Sequence, residues 1–254
     1  FDIRVAEIMY INHSYVDTIM NTITHTKLRK EKKYKYSDLG YYFAKNVIEK
    51  ITYTPLDRYV KEVFYDRLGL ATTMYHPRRK FSLSHITPTE NDKLFRQQVV
   101  HGDVHDPGAA MMGGVGGHAG LFSNANDLGK IMQMYMNWGS YGGERYLKSE
   151  ILKEYTSTQF PDNDNRRAIG FDKPTEPGTS GPTCRFASPS SFGHSGFTGT
   201  LVWADPESDL VYVFLSNRVY PDANNKKLAR NGIRTRIMRV IYDAIRSAEE
   251  TNKV

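Results

Sequence analysis

A single cysteine, Cys184, stands among the 254 residues. One thiol excludes an internal disulfide and any zinc or iron–sulfur centre built on several cysteines, and it leaves the redox compartment open. No apolar run approaches the roughly 20 residues that a membrane-spanning helix needs, so no part of the chain is expected to cross a bilayer. The opening residues Phe1-Asp2-Ile3-Arg4 lack the basic stretch and apolar core of a signal peptide. With no initiator methionine either, the chain is read as processed, or as a piece of something longer. Internal repeats and low-complexity tracts are also missing.

The residues present are those of a folded protein. Hydrophobic residues make up 39% and aromatic residues 12%, which excludes a disordered chain. The length suits one large domain or two intimate ones. Lys and Arg number 34 against 28 acids, a net charge of +6. Much of the excess lies in Lys27, Arg29, Lys30, Lys32, Lys33 and Lys35, and in Lys226, Lys227, Arg230, Arg234, Arg236, Arg239 and Arg246. These runs read as solvated faces, and no nucleic-acid partner is expected.

Helical spacing comes first along the chain. Val16, Ile19, Met20 and Ile23 predict a helix over 14–26, and Leu39, Phe43, Val47 and Ile51 a second, with Ser37 or Asp38 as its cap. Thr54-Pro55 opens a third, with Leu56, Val60, Val63 and Phe64 as its buried stripe. Residues 71–120 read as mostly irregular and end in the glycine run 113–120. A fourth helix is expected over 123–138, and Gly139, Gly142 and Gly143 then turn the chain. Residues 161–190 read as a long polar surface excursion. Thr200-Leu201-Val202-Trp203-Ala204 and 210–215 predict two strands joined at Asp205-Pro206-Glu207-Ser208-Asp209. The second strand is apolar without alternation, so both its faces should be covered, one by a last helix carrying Ile233, Ile237, Val240, Ile241, Ala244 and Ile245. The expected fold class is α+β: a mainly helical part over 1–160, then a sheet hairpin and terminal helix over 185–254.

Several short patterns are candidates for chemistry. His101 and His105 could share a metal only on one helix face, and Gly102 and Pro107 argue against a helix there. The glycine run lacks the Lys-Ser/Thr ending of a phosphate loop and reads as a tight loop whose backbone packs closely. No metal and no cofactor is expected. Tyr36-Ser37-Asp38 stands at the mouth of a helix, and His194-Ser195-Gly196 leads into the hairpin.

Taken in order, these segments resemble the penicillin-recognising serine hydrolases: class C β-lactamases, low-molecular-weight penicillin-binding proteins and related esterases. The carriers are Tyr36-Ser37-Asp38-Leu39-Gly40-Tyr41-Tyr42, similar to the family's Tyr-x-Asn segment, and Val104-His105-Asp106-Pro107. With them stand the run from Gly113 to Ser123, the segment Gly193 to Gly199, similar to the Lys/His-Thr/Ser-Gly strand, and Leu215-Ser216-Asn217. The resemblance is in particular to the β-lactamase-like module carried behind family 3 β-N-acetylglucosaminidase-like domains in Bacteroidetes. It implies a β-lactamase/transpeptidase-like fold, an antiparallel sheet flanked by helices plus a helical subdomain. It also implies acyl transfer from an amide, lactam or ester to a serine.

By that resemblance Tyr36 is the proton shuttle. His194, when charged, is a cation that favours the phenolate and binds a substrate carboxylate. Ser195 and Gly196 line the substrate edge, and the Phe197 N–H supplies half of an oxyanion hole. Asp38 stands where the family more often has Asn, and His118 walls the acyl pocket or pins the glycine loop.

One departure matters most. The family nucleophile lies in a Ser-x-x-Lys motif upstream of the tyrosine, and no Ser-x-x-Lys occurs in this sequence. The chain is therefore read as the C-terminal portion of one serine-hydrolase domain, incomplete at its N-terminus and inactive alone. The parent would act outside the cytoplasm of a bacterium on a peptidoglycan-derived peptide or small ester, with a possible N-terminal glycosidase domain. A non-catalytic cell-wall-binding relative is the alternative.

Overall fold

Antiparallel hairpins and helices alternate up to residue 156, and a three-stranded sheet follows. The structure is a computed structural model that describes residues 1–31, 33–161, 165–175 and 181–251. Lys32 and parts of the polar excursion, 162–164 and 176–180, lie outside the described residues. Two compact units form: Phe1–Asn124 with Val219–Asn224, and Ala125–Arg218 with Asn225–Val254.

The first unit opens with a hairpin of β1 (Ile3–Ala6) and β2 (Met9–Ile11). Helix α1 (Ser14–Thr24) follows, then α2 (Leu39–Thr52), then α3 (Leu56–Val60), which runs into a π-helical turn at Lys61–Tyr65. Asp38 holds the N-cap position of α2 without a side-chain hydrogen bond; Ser37 Oγ instead accepts from the Leu39 N–H at 3.3 Å. Thr54 does not cap α3. Its hydroxyl donates to the Thr52 carbonyl, Pro55 takes the cap position, and Glu49 accepts the Leu56 N–H at 2.9 Å.

Helix α2 has its faces reversed relative to a core helix. Leu39, Phe43, Val47 and Ile51 point outward, with Ile51 72% exposed, whereas Tyr42, Lys45, Ile48 and Glu49 are half-buried. Lys45 and Glu49 pair at 3.2 Å on that inner face.

The stretch 71–120 holds more order than its composition suggests. Strands β3 (Pro88–Asp92) and β4 (Gln98–His101) form a hairpin, and α4 (Pro107–Met111) follows. Its polar strand residues hide the alternation that marks a hairpin, because the hairpin is organised around a cation. Arg96, whose side chain is fully buried, donates to Asp92 at 2.8 Å, to Glu90, and to the carbonyls of Val104 and His105. Val5, Val104, Ala109 and Ala110 form the apolar core beside it.

In the second unit α5 (Ala125–Met136) leads through the small hairpin β5 (Ser140–Tyr141) and β6 (Glu144–Arg145) to α6 (Ser149–Thr156). The sheet has the order β7 (Phe192–Ser195), β8 (Leu201–Asp205), β9 (Leu210–Phe214), all antiparallel. After the short α7 (Lys227–Arg230) comes α8 (Ile233–Thr251).

Both faces of the sheet are covered, as the unbroken apolar run requires. Met132 and Met136 of α5 pack with Phe192 and Ala204 on one face. Met238 and Tyr242 of α8 pack with Leu201, Trp203 and Tyr212 on the other. Helix α5 therefore belongs with the sheet.

Candidate functional site

The candidate residues divide between the units. Tyr36, Asp38 and His118 lie in the first; His194, Ser195, Gly196 and Phe197 lie in the second.

Strand β7 carries the second group, and its second residue has to be glycine. A Cβ on Gly193 would lie 2.1 Å from the Val202 carbonyl oxygen and 2.5 Å from the Trp203 ring. Outside β7, the segment 165–173 is stitched to the strand by two backbone bonds: the Asp172 N–H to the Gly193 carbonyl at 2.7 Å, and the Gly193 N–H back to Asp172 at 3.1 Å. This stitch delivers Arg167 to His194. Its Nη1 stands 2.9 Å from His194 Nε2, while His194 Nδ1 stands 2.9 Å from the Ser195 carbonyl oxygen.

The strand ends at Ser195, so Phe197 lies in a turn and not on the strand edge the sequence suggested. The Gly196 N–H donates to the Thr200 carbonyl at 2.9 Å and the Gly199 N–H to Gly196 at 3.1 Å, which closes that turn. Gly199 has φ +113, a conformation that L side chains rarely adopt. The Phe197 ring is 66% exposed and lies 4.5 Å from the Arg218 guanidinium. Arg218 also lines an open cavity of about 260 Å³ with Ser216, Asn217, Lys227 and Asn231. Beside it Arg234 donates to the Thr200 carbonyl at 2.9 Å. Burial, and then the charge of Arg218, hold Arg234 below the ordinary arginine value.

In the first unit Tyr36 is exposed in the segment before α2. The order lies one turn further on. His118 stacks on Tyr42 with ring centroids 4.5 Å apart and sends Nε2 to Asp106 Oδ1 at 3.0 Å. Asp106 at the same time accepts the Ala109 N–H at 2.7 Å and so caps α4. Burial, then the charges of Asp106 and Asp38, push the Tyr42 phenol up to about 12. Tyr42 therefore stays protonated and serves as a hydrogen-bond donor or a packing surface. The glycine run does pack closely: a Cβ on Gly117 would stand 2.4 Å from the Tyr41 carbonyl oxygen. His118, within the glycine run, is thus tied to the cap of α4 and to Tyr42.

His101 and His105 turn to separate partners. His101 Nε2 meets the Ile86 carbonyl at 2.5 Å, and His105 lies 3.4 Å from Glu90. Arg167, Arg218 and Tyr42 are the residues that sequence reasoning did not single out. Arg167 lies 27 positions before His194 in a polar excursion, and no pattern in the chain links the two.

The comparisons with known proteins agree with this architecture. A protein of Escherichia coli (strain K12) named "Putative D-alanyl-D-alanine carboxypeptidase" is 37% identical over 209 residues, covering 77% of this chain and 48% of its own length. A protein of the same name from Salmonella gallinarum is 36% identical over 231 residues, covering 84% of this chain and 52% of its own. The chain thus spans about half the length of the curated relatives it matches. Among solved structures, a simvastatin synthase mutant from Aspergillus terreus superposes with a TM-score of 0.63 at 14% identity, covering 94% of this chain and 62% of that one. A penicillin-binding protein homologue from Caulobacter crescentus gives 0.57 at 16%, covering 84% and 62%. Both share the β-lactamase/transpeptidase-like fold. The Beta-lactamase family matches residues 10–235, a span that takes in Tyr36, the glycine run, strand β7 and the whole sheet: the chain belongs to the beta-lactamase family, within the penicillin-recognising serine hydrolases.

Proposed function

We propose that these 254 residues are the part of a serine acyl hydrolase that carries the substrate-binding strand, and that the nucleophilic serine lies outside this sequence. The observation that carries this reading is the His194-Ser195-Gly196 segment, whose first two residues end β7 beside β8, in a member of the beta-lactamase family. Three facts support the second clause. The sequence has no Ser-x-x-Lys, the chain spans about half of its relatives, and the apolar row of α2 faces outward.

The substrate class is a peptide amide or ester that ends in a carboxylate. The carboxypeptidase names of the relatives favour a peptidoglycan-derived peptide, and the reaction is assigned to the outside of the cytoplasm only as part of this proposal. Ser195 is assigned a hydrogen bond to that carboxylate, and the Phe197 N–H is assigned to the developing oxyanion. Tyr36 is assigned proton transfer to and from the serine, with Asp38 close by in sequence at the substrate edge.

A longer gene product carrying Ser-x-x-Lys is expected to hydrolyse p-nitrophenyl esters faster than nitrocefin. These 254 residues alone are expected to take up no fluorophosphonate. A covalent serine adduct on this chain, located by peptide mass spectrometry, would overturn the assignment of the nucleophile. Faster turnover of nitrocefin would overturn the ester and peptide preference.

A further inference from the structure

We propose that Arg167, and not His194, is the cation of the β7 edge: its guanidinium locks the imidazole as the Nδ1–H tautomer and supplies the fixed positive charge that a carboxylate meets there. The inference rests on the acyl-hydrolase reading only for the identity of that carboxylate as substrate.

A guanidinium has five N–H donors and no acceptor. With Arg167 Nη1 at 2.9 Å, His194 Nε2 accepts, and a ring nitrogen that accepts carries no proton. The other nitrogen, Nδ1, is 2.9 Å from the Ser195 carbonyl oxygen, which can only accept, so Nδ1 carries the proton. The two contacts are satisfied together by one neutral tautomer. An imidazolium would set one N–H against another.

Asp172 Oδ1 lies 3.6 Å from Arg167 Nε and 3.0 Å from Arg166 Nε, so this carboxylate faces two guanidinium groups. Across the strand pair, β8 opposes His194 with Val202, which does not titrate. Of the Arg167 side chain, 22% reaches solvent. The backbone stitch between Asp172 and Gly193 fixes where Arg167 stands relative to the strand. A guanidinium stays charged throughout the range in which an imidazole titrates. The charge that Arg167 presents to an anion is therefore constant over that range, whereas a cation role for an imidazole would make anion binding fade as pH rises.

The test uses this chain, labelled with 15N, and needs no turnover. Long-range 1H–15N correlation of His194 is expected to show a protonated Nδ1 and a bare, accepting Nε2; a proton on Nε2 would overturn the tautomer lock. Acetate titration, followed at the amides of Ser195 and Gly196, is expected to give the same affinity at about pH 5.5 and about pH 8, the range over which a histidine changes charge. Arg167→Leu is expected to weaken acetate about tenfold or more at both values, the loss of one charge-assisted hydrogen bond. Arg167→Lys, which keeps the charge, is expected to restore part of it and keeps the test readable should the leucine variant fail to fold. Affinity that falls as pH rises with Arg167 intact, or no acetate binding at all, would overturn the cation role. A failed acyl-hydrolase reading would look different: no turnover in the longer protein while these shifts persist.

Discussion

The Tyr242 hydroxyl on α8 donates to a carboxylate oxygen of Asp205 at the end of β8, and both side chains are buried. Asp205 is otherwise well supplied. It accepts from the Ser188 hydroxyl at 2.5 Å, the Ser188 N–H at 2.9 Å and the Glu207 N–H at 3.1 Å. This carboxylate ties the β8–β9 turn, the segment before β7 and the terminal helix together. Burial, then the bond to Asp205, keep the Tyr242 phenol protonated far beyond its ordinary range. Tyr242→Phe keeps the ring in the core and removes one donor to a charged acceptor, so it should cost about 1.5–3 kcal/mol. A urea titration should show a lower midpoint with an unchanged slope.

Lys173 gives the second unit a dependence on alkaline pH. Its side chain is buried, with Nζ donating to the Ser190 carbonyl at 3.0 Å. Burial pushes its pKa down to about 8, against a smaller opposing pull from Asp205. From pH 8 to the unfolded value of 10.5 the unfolded chain holds a proton that the folded chain does not, so stability rises with pH across that window. Below pH 8 both forms are protonated and the contribution is flat. The gain should reach about 2 kcal/mol by about pH 9.5, at 1.36 kcal/mol per pH unit. Tyrosine ionisation in the unfolded chain then begins to oppose it. Lys173→Met should remove the slope in denaturation curves taken between those limits.

Arg96 is the opposite case, a buried cation that its surroundings need. Burial raises the Asp92 carboxyl, but the Arg96 side chain and the N–H groups of Phe95, Arg96 and Leu94 outweigh it and bring it to about 2. Stability from this carboxylate is present above its ordinary value of 3.8 and is lost as pH falls toward 2. Arg96→Met leaves Glu90 and Asp92 buried without their cation and should cost about 3–5 kcal/mol at neutral pH. Circular dichroism melts should show the loss, and the acid limb should become shallower.

Two glycines should respond to alanine in opposite directions. Gly129 lies inside α5 with nothing within 4 Å of an added Cβ, so Gly129→Ala should stabilise by about 1 kcal/mol. Gly193→Ala drives a methyl group into the β8 backbone and should abolish the β7–β8 pairing. Thermal melts would rank the two variants.

The secondary structure was legible where burial follows chain-local periodicity. The β8–β9 hairpin, α8 and α5 stand close to where the spacing of Leu201, Leu210 and Ile233 and the run from Leu128 to Tyr135 put them. The buried side of α8 is not the expected stripe, however: Met238 and Tyr242 pack on the sheet with Ile241 beside them, while Ile237 and Val240 are 40% and 67% exposed. The β3–β4 hairpin leaves no apolar alternation in the sequence because Glu90, Asp92 and Arg96 satisfy one another inside it, and residues of these types ordinarily face solvent. Helix α2 shows the converse: Leu39, Phe43, Val47 and Ile51 repeat as a core stripe would, yet lie outside. At the candidate site, the strand that ends in His194-Ser195 was readable from its motif. Arg167 was not, since its place depends on a backbone bridge between Asp172 and Gly193 that no short-range pattern encodes.

The outward row of α2 has a calorimetric consequence. The heat capacity of unfolding comes mainly from apolar surface that meets water only when the chain opens. Leu39, Phe43, Val47 and Ile51 are already wet in the folded chain, as are Leu28 and Leu94, which are 95% and 92% exposed. They add little to that increment. Its heat-capacity step should therefore fall below what 254 residues would ordinarily give, and its stability should vary with temperature along a flatter curve.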